Sequence, residues 1–326
     1  MKTICKLVLP ILFAALVLCG CTGNKSNGQD NEKMKIVATG FVQYDFVKQL
    51  VGDNADIKML IRPGNEVHTY EPTPEDLMSI AKCDIFVYNG GESDGWIENV
   101  LKNTENENMT VVRFMEFSEL LAEQITEGMQ ETQSEEEHSH TPDSDVTDCY
   151  EGYDEHVWTS PINAIKITDG ILSVLCEADE KNAESYRQNA EIFKGQLYSL
   201  DEEFRSMIQS AVRNEIVVGD RFPFLYLANE YGIDYFAAFP GCASNTEPSA
   251  ATVAFLINKV MEDNLPVVFS IEFSNGKIAD AVCDASGAKR LELHSCHNVT
   301  AKEFEDGETY VSLMQRNLEN LRKALN

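Results

Sequence analysis

Short apolar runs alternate with helical patterns along most of this chain. Residues 35–39, 57–61, 84–88 and 110–114 are β-branched and aromatic runs of strand length. Between them, residues 44–51, 75–81 and 96–101 space their apolar positions for a helix face, with Phe46, Val47 and Leu50 on one side of the first. Residues 180–211 carry the longest helical pattern. Tyr186, Ala190, Phe193, Leu197, Leu200, Phe204 and Met207 recur at alternating steps of four and three, a single apolar stripe. At 1.5 Å per residue such a helix spans roughly 45 Å. A coiled-coil dimer would show the same spacing, but the aromatic residues in the stripe favour packing against the rest of the chain. The alternation then restarts, with strands at 215–219, 234–239, 266–271 and 290–293 and helices at 224–231, 252–262, 277–284 and 310–324. Strands alternating with helices predict βα units and parallel sheets. The fold class expected is α/β: two βα lobes with parallel-type sheets, joined by one long backbone helix, with a cleft between the lobes.

Two stretches break the pattern. At the N-terminus, Lys2 and Lys6 precede an apolar core at 7–18, too short to span a bilayer and suited to a signal peptide. It ends Leu18-Cys19-Gly20-Cys21, which resembles a bacterial lipobox with Cys21 as the lipidated residue; cleavage without lipid, or an uncleaved anchor, are the other readings. Residues 21–33 then read as a polar tether. The second break is the acidic loop at 123–155, which holds His138-Ser139-His140 and few core-forming residues. It reads as a solvated insertion, either gathering metal weakly or carrying two incidental histidines. The organisation expected is a signal peptide at 1–20, a tether at 21–33, an N-terminal lobe at 34–179, a linking helix at 180–212 and a C-terminal lobe at 213–326.

Charge narrows the partners. A formal net charge of −28 argues against nucleic acid, whose phosphates would be repelled, and is compatible with a cation ligand or simply with solubility. The cysteines form no CxxC pair beyond the leader, which removes zinc ribbons and thioredoxin-like chemistry; whether Cys242 and Cys296 pair is left open by spacing.

The candidate chemistry centres on Pro63-Gly64-Asn65-Glu66-Val67-His68-Thr69-Tyr70-Glu71-Pro72-Thr73-Pro74. Three prolines and a glycine stiffen a loop at a strand end, where open α/β sheets bind ligands, and His68 sits in its middle. Four of the six histidines, His68, His156, His294 and His297, fall at strand ends or in loops outside the acidic insertion. A lone histidine is usually structural; a set of four at strand ends points to metal.

The His68 loop, Tyr88-Asn89-Gly90-Gly91 with Trp96, His156-Val157-Trp158, Phe224 to Gly232 and Glu247-Pro248-Ser249 together resemble the cluster A-I solute-binding proteins, the zinc- and manganese-binding lipoproteins of bacterial metal ABC transporters. The resemblance runs from about residue 34 to the C-terminus. It implies two lobes on a rigid helix, metal in the cleft, an ABC permease as partner, and residence at the extracytoplasmic face of the cell membrane, anchored by lipid, as a monomer and not an enzyme. Carried over by position, it implies His68 and His156 as N-lobe ligands, Asp220 after the first C-lobe strand, and His294 near the last strand, with Cys296, His297 or water as alternatives for the fourth place. Asp220 also reads as a helix cap. Three nitrogens and one oxygen in a closed tetrahedral set favour Zn²⁺, with Mn²⁺ or Fe²⁺ behind it.

Two other functional classes are expected to compete. One is a surface adhesin or structural lipoprotein, with its histidines incidental. The other is a serine hydrolase, because Gly91-Glu92-Ser93-Asp94-Gly95 follows a strand and matches the GxSxG nucleophile elbow.

Overall fold

A computed structural model describes residues 33–129, 152–242 and 248–326. The leader with Cys21, the tether up to residue 32, His138 and His140 of the acidic loop, and Glu247 lie outside the described residues. Two parallel four-stranded sheets form the frame. The first contains β1 (Met34–Ala38), β2 (Ala55–Met59), β3 (Ile85–Tyr88) and β4 (Thr110–Arg113), in the order β2-β1-β3-β4. The second contains β5 (Glu215–Phe222), β6 (Asp234–Pro240), β7 (Val267–Ser270) and β8 (Lys289–Glu292), in the order β6-β5-β7-β8. Each sheet thus repeats the same winding, with every pair parallel.

The inner strands β1, β3, β5 and β7 are mostly buried and read as apolar runs rather than alternating ones, while the edge strand β8 is largely exposed. In β1, Ile36 faces one apolar cluster and Val37 the cluster on the other side, as the period of two requires. In β5, Ile216 and Val218 face the first cluster and Val217 another.

The helices described are α1 (Phe41–Val51), α2 (Pro74–Ile80), α3 (Gly95–Asn103), α4 (Pro161–Ala178), α5 (Ala183–Ser210), α6 (Leu225–Tyr231), α7 (Ala250–Glu262), α8 (Lys277–Ser286), α9 (Ala301–Asp306) and α10 (Tyr310–Leu325). All seven stripe residues of α5 are buried. The helix packs on α4, α1 and α10, so its partners are the chain's own elements. The sequence reading carries no helix at α4, although Ser160 caps it, accepting from the Asn163 amide at 3.3 Å, and Pro161 opens it. Its β-branched residues, Ile162, Ile165, Ile167, Thr168 and Ile171, weaken the helical signal. Burial of Ala164, Thr168, Ile171 and Leu175 along one side overrides it. The short α9 is likewise absent from that reading; it buries none of its residues and offers no stripe.

Among the described residues, no helix is long and apolar enough to cross a membrane. Cys83, Cys176, Cys242, Cys283 and Cys296 are free thiols, so Cys242 and Cys296 are not joined.

Candidate metal centre

Three loops converge, two of them at the ends of β2 and β8, and their local chemistry explains why. The loop after β2 turns at Gly64, whose φ of +87° favours glycine. Thr73 then ends it as the cap of α2, its hydroxyl accepting from the Asp76 amide at 3.3 Å while donating to the Asp76 carboxylate at 2.6 Å. Tyr70 donates to the same carboxylate at 2.9 Å, so the His68 loop is held at its exit. Its entrance is tied to the loop after β8: the Gly64 amide donates to the Val299 carbonyl at 2.7 Å, and the Asn298 amide donates to the carbonyls of Arg62 and Asn65 at 2.8 and 2.9 Å. The loop that carries His68 and the loop that carries His297 therefore brace each other.

The third loop precedes α4. Trp158 donates its indole N–H to the Ser295 carbonyl at 2.8 Å, and Tyr310 donates to the Trp158 carbonyl at 2.6 Å. Asn89 and Tyr226 donate to the carbonyls of Glu155 and Asp154, each at 2.8 Å. Gly91 is a glycine by necessity, since a Cβ there would lie 2.2 Å from the Glu155 Cβ.

The result is a cluster of His68, Glu155, His156 and His297, each offering one ligand atom, with all of these atoms within 4.8 Å of one another. The ring centroids of His156 and His68 lie 4.6 and 5.0 Å from that of His297. Glu155 Oε1 is 3.6 Å from His68 Nδ1 and 3.9 Å from His297 Nε2. A small cleft opens onto His68 and His297, and Arg221 and Phe273 share its wall.

The protonation pattern suits a cation. Asp154 Oδ1 lies 3.1 Å from His156 Nδ1, and a carboxylate accepts, so this nitrogen carries the proton. Nε2 of His156 is then the ligating nitrogen; it is buried and has no hydrogen-bond partner. An unpartnered buried nitrogen is costly, and a metal ion would satisfy it. Burial drives the His68 pKa down to about 3, with the charges of His156 and Arg221 acting the same way. Burial also holds His297 well below the ordinary range, helped by His156, His68 and Arg221. Both rings are neutral and able to ligate. His156 differs: burial disfavours its charged form, but Asp154 beside it outweighs this and raises its pKa.

Of the four residues expected from sequence, His68 and His156 join the cluster, while Asp220 and His294 are outside it. The Asp220 carboxylate is engaged elsewhere, by the Arg221 amide at 2.9 Å and by the Ser274 hydroxyl. His294 braces its own turn. Its Nδ1 accepts from the Cys296 amide at 2.9 Å, and Asn317 bonds both its backbone N–H and its carbonyl, at 2.7 Å each. The turn reverses at Cys296, where φ is +63°, and this brings His297, one of the alternatives for the fourth place, to the cluster. Sequence reasoning missed Glu155 altogether. Its only signal is adjacency to His156, which means little in a chain with 54 acidic residues. It also missed Arg221, a cation in the wall of a candidate cation site, paired with Glu66 at 3.5 Å.

The chain is similar to known proteins along most of its length. Residues 36–324 match the family model described as zinc-uptake complex component A, periplasmic. The high-affinity zinc uptake system protein ZnuA of Bacillus subtilis is 30% identical over 319 residues, covering 98% of this chain and 96% of that protein. The zinc-binding lipoprotein AdcA of Streptococcus pneumoniae is 29% identical over 312 residues, 96% of this chain but only 59% of AdcA. The crystal structure of the Zn(II)-bound ZnuA-like domain of the pneumococcal AdcA superposes with a TM-score of 0.72 at 27% identity, covering 90% of this chain and 99% of that domain.

Proposed function

Because the chain belongs to the family of periplasmic zinc-uptake components A, we propose that it captures Zn²⁺ on His68, Glu155, His156 and His297 and delivers it to a membrane ABC permease. The observation that carries this reading is the convergence of three imidazoles and one carboxylate, with one ligand atom from each lying within 4.8 Å of the others. Three nitrogens and one oxygen match a tetrahedral zinc shell, with Zn–N distances of about 2.0–2.1 Å. Manganese and iron, which accept more oxygen ligands, rank behind it. Four protein ligands leave no open position for a reacting substrate, which favours carriage over catalysis. His68, Glu155 and His156 come from the half built on the first sheet and His297 from the half built on the second, so the ion bridges the two halves. The acidic surface suits a protein that works among cations. Lipidation of Cys21, which would hold a monomer at the extracytoplasmic face of the cell membrane, completes the reading.

The test is zinc stoichiometry and affinity, by calorimetry, of the protein from residue 22 onward. The parent is expected to bind one zinc per chain. His297→Ala and His68→Ala are expected to lose it, while His294→Ala and Asp220→Ala retain it. Loss of zinc in His294→Ala with retention in His297→Ala would overturn the ligand set. A parent indifferent to zinc would overturn the function.

A further inference from the structure

The GxSxG segment, Gly91 to Gly95, has so far no role, yet it lies against the cluster. Residues Glu92–Asp94 form a single tight turn between β3 and α3. The buried Asp94 carboxylate fixes that turn by accepting from the Asn89 and Gly90 amides at 2.8 and 3.0 Å. Ser93 is thereby aimed at two cluster residues at once. Its amide donates to Glu155 Oε2 at 3.0 Å, its hydroxyl donates to Glu155 Oε1, and its Oγ lies 2.7 Å from His68 Nδ1.

Proton counting decides what this contact is. A serine hydroxyl has one proton, and a carboxylate can only accept. With that proton given to Glu155, the 2.7 Å contact to His68 is a hydrogen bond only if Nδ1 of His68 carries a proton and donates it to Ser93 Oγ. His68 then keeps its free lone pair on Nε2. A serine nucleophile requires the opposite arrangement: the hydroxyl donates to the imidazole, and the acid holds the other ring nitrogen. Here the acid holds the serine itself.

We propose that Ser93 is a positioning residue that presets two of the four zinc ligands, fixing the tautomer of His68 and, through two donors, the rotamer of Glu155. The inference rests on the zinc reading above but is read out without metal. Buried partners of ligating groups of this kind are worth about 10–100-fold in metal affinity.

The experiment is ¹⁵N NMR of histidine-labelled, metal-free protein, with His68 assigned by its absence in His68→Ala, followed by zinc titration. The parent is expected to show His68 in the Nδ1–H tautomer. Ser93→Ala is expected to mix the tautomers and to weaken zinc about 10–100-fold at unchanged stoichiometry, and Ser93→Thr, which keeps the hydroxyl, to restore both. An Nε2–H tautomer in the parent, or parent-like zinc affinity in Ser93→Ala, would overturn the proposal. Labelling of Ser93 by a fluorophosphonate would overturn it in favour of a nucleophile. Failure of the parent to bind zinc would instead sink the function, whatever the tautomer.

Discussion

Arg221 places a permanent positive charge in the wall of a cleft whose other polar residues include His68 and His297. Its influence reaches the histidines, since it helps lower the pKa of both. A cation next to a cation site works against the ion by ordinary Coulomb repulsion, softened here by Glu66. Arg221→Gln is therefore expected to tighten zinc binding by about tenfold or more, about 1.4 kcal/mol, measured by competition with a chromophoric chelator; weaker binding would mean that Arg221 organises the cleft instead. Asp94 gives a prediction about pH. Burial lifts its carboxyl to about 7, with the Gly90 amide opposing and the Glu155 charge adding to the rise. An ordinary aspartate titrates near 3.8. Between these values the folded protein keeps a proton that the unfolded chain has released, so this contribution to stability falls as pH rises from about 4 to about 7. Asp94→Asn keeps an acceptor for the two amides and is expected to flatten that part of the pH profile of the urea midpoint; a parallel profile would discount the Asp94 proton.

At the scale of elements, what sequence reveals follows from what each element buries. The stripe of α5 is legible because seven large and small apolar residues must meet a core on one side. Cutting into it has a plain cost: Leu197→Ala is expected to lose about 2–5 kcal/mol of stability in urea unfolding. A loss below about 1 kcal/mol would mean that the site collapses around the cavity. The strands of the two sheets were also legible, most of them as apolar runs bounded by turns, although the edge strand β8 is charged and largely exposed. What escaped reading was α4, whose β-branched residues dilute the helical pattern, and α9, which buries nothing. Of the cluster, His68 is marked in the sequence by a stiff, proline-rich loop, while His156 was expected as one of the loop histidines and from the family resemblance. The last member of the cluster depends on a left-handed turn at Cys296 that decides between two histidines three residues apart, and no spacing rule contains that turn. Glu155 is one carboxylate among many until the fold brings it against Gly91.

At the scale of the molecule, one apolar cluster runs from Ile36 and Val87 of the first sheet, through the α5 stripe, to Val218 and Phe269 of the second. Sheets that share a core should melt together, so calorimetry of the metal-free protein is expected to give one transition with matching calorimetric and van't Hoff enthalpies; two transitions would mean that the halves fold independently. Zinc at a thousand times its dissociation constant should add about 4.1 kcal/mol by mass action, and this gain should vanish in His297→Ala. The cluster is also lopsided in its burial. Glu155 and His156 are sealed off, while the side chains of His68 and His297 keep 12% and 13% exposure at the cleft. Were zinc held here as proposed, that asymmetry would order events in time: solvent, or a carboxylate or imidazole from an incoming acceptor, would meet the ion on the side of the two partly exposed histidines, and those bonds would exchange first while the inner pair still held. Transfer would proceed by stepwise substitution, at a rate that depends on the acceptor's concentration, and spontaneous escape into water would be slow by comparison.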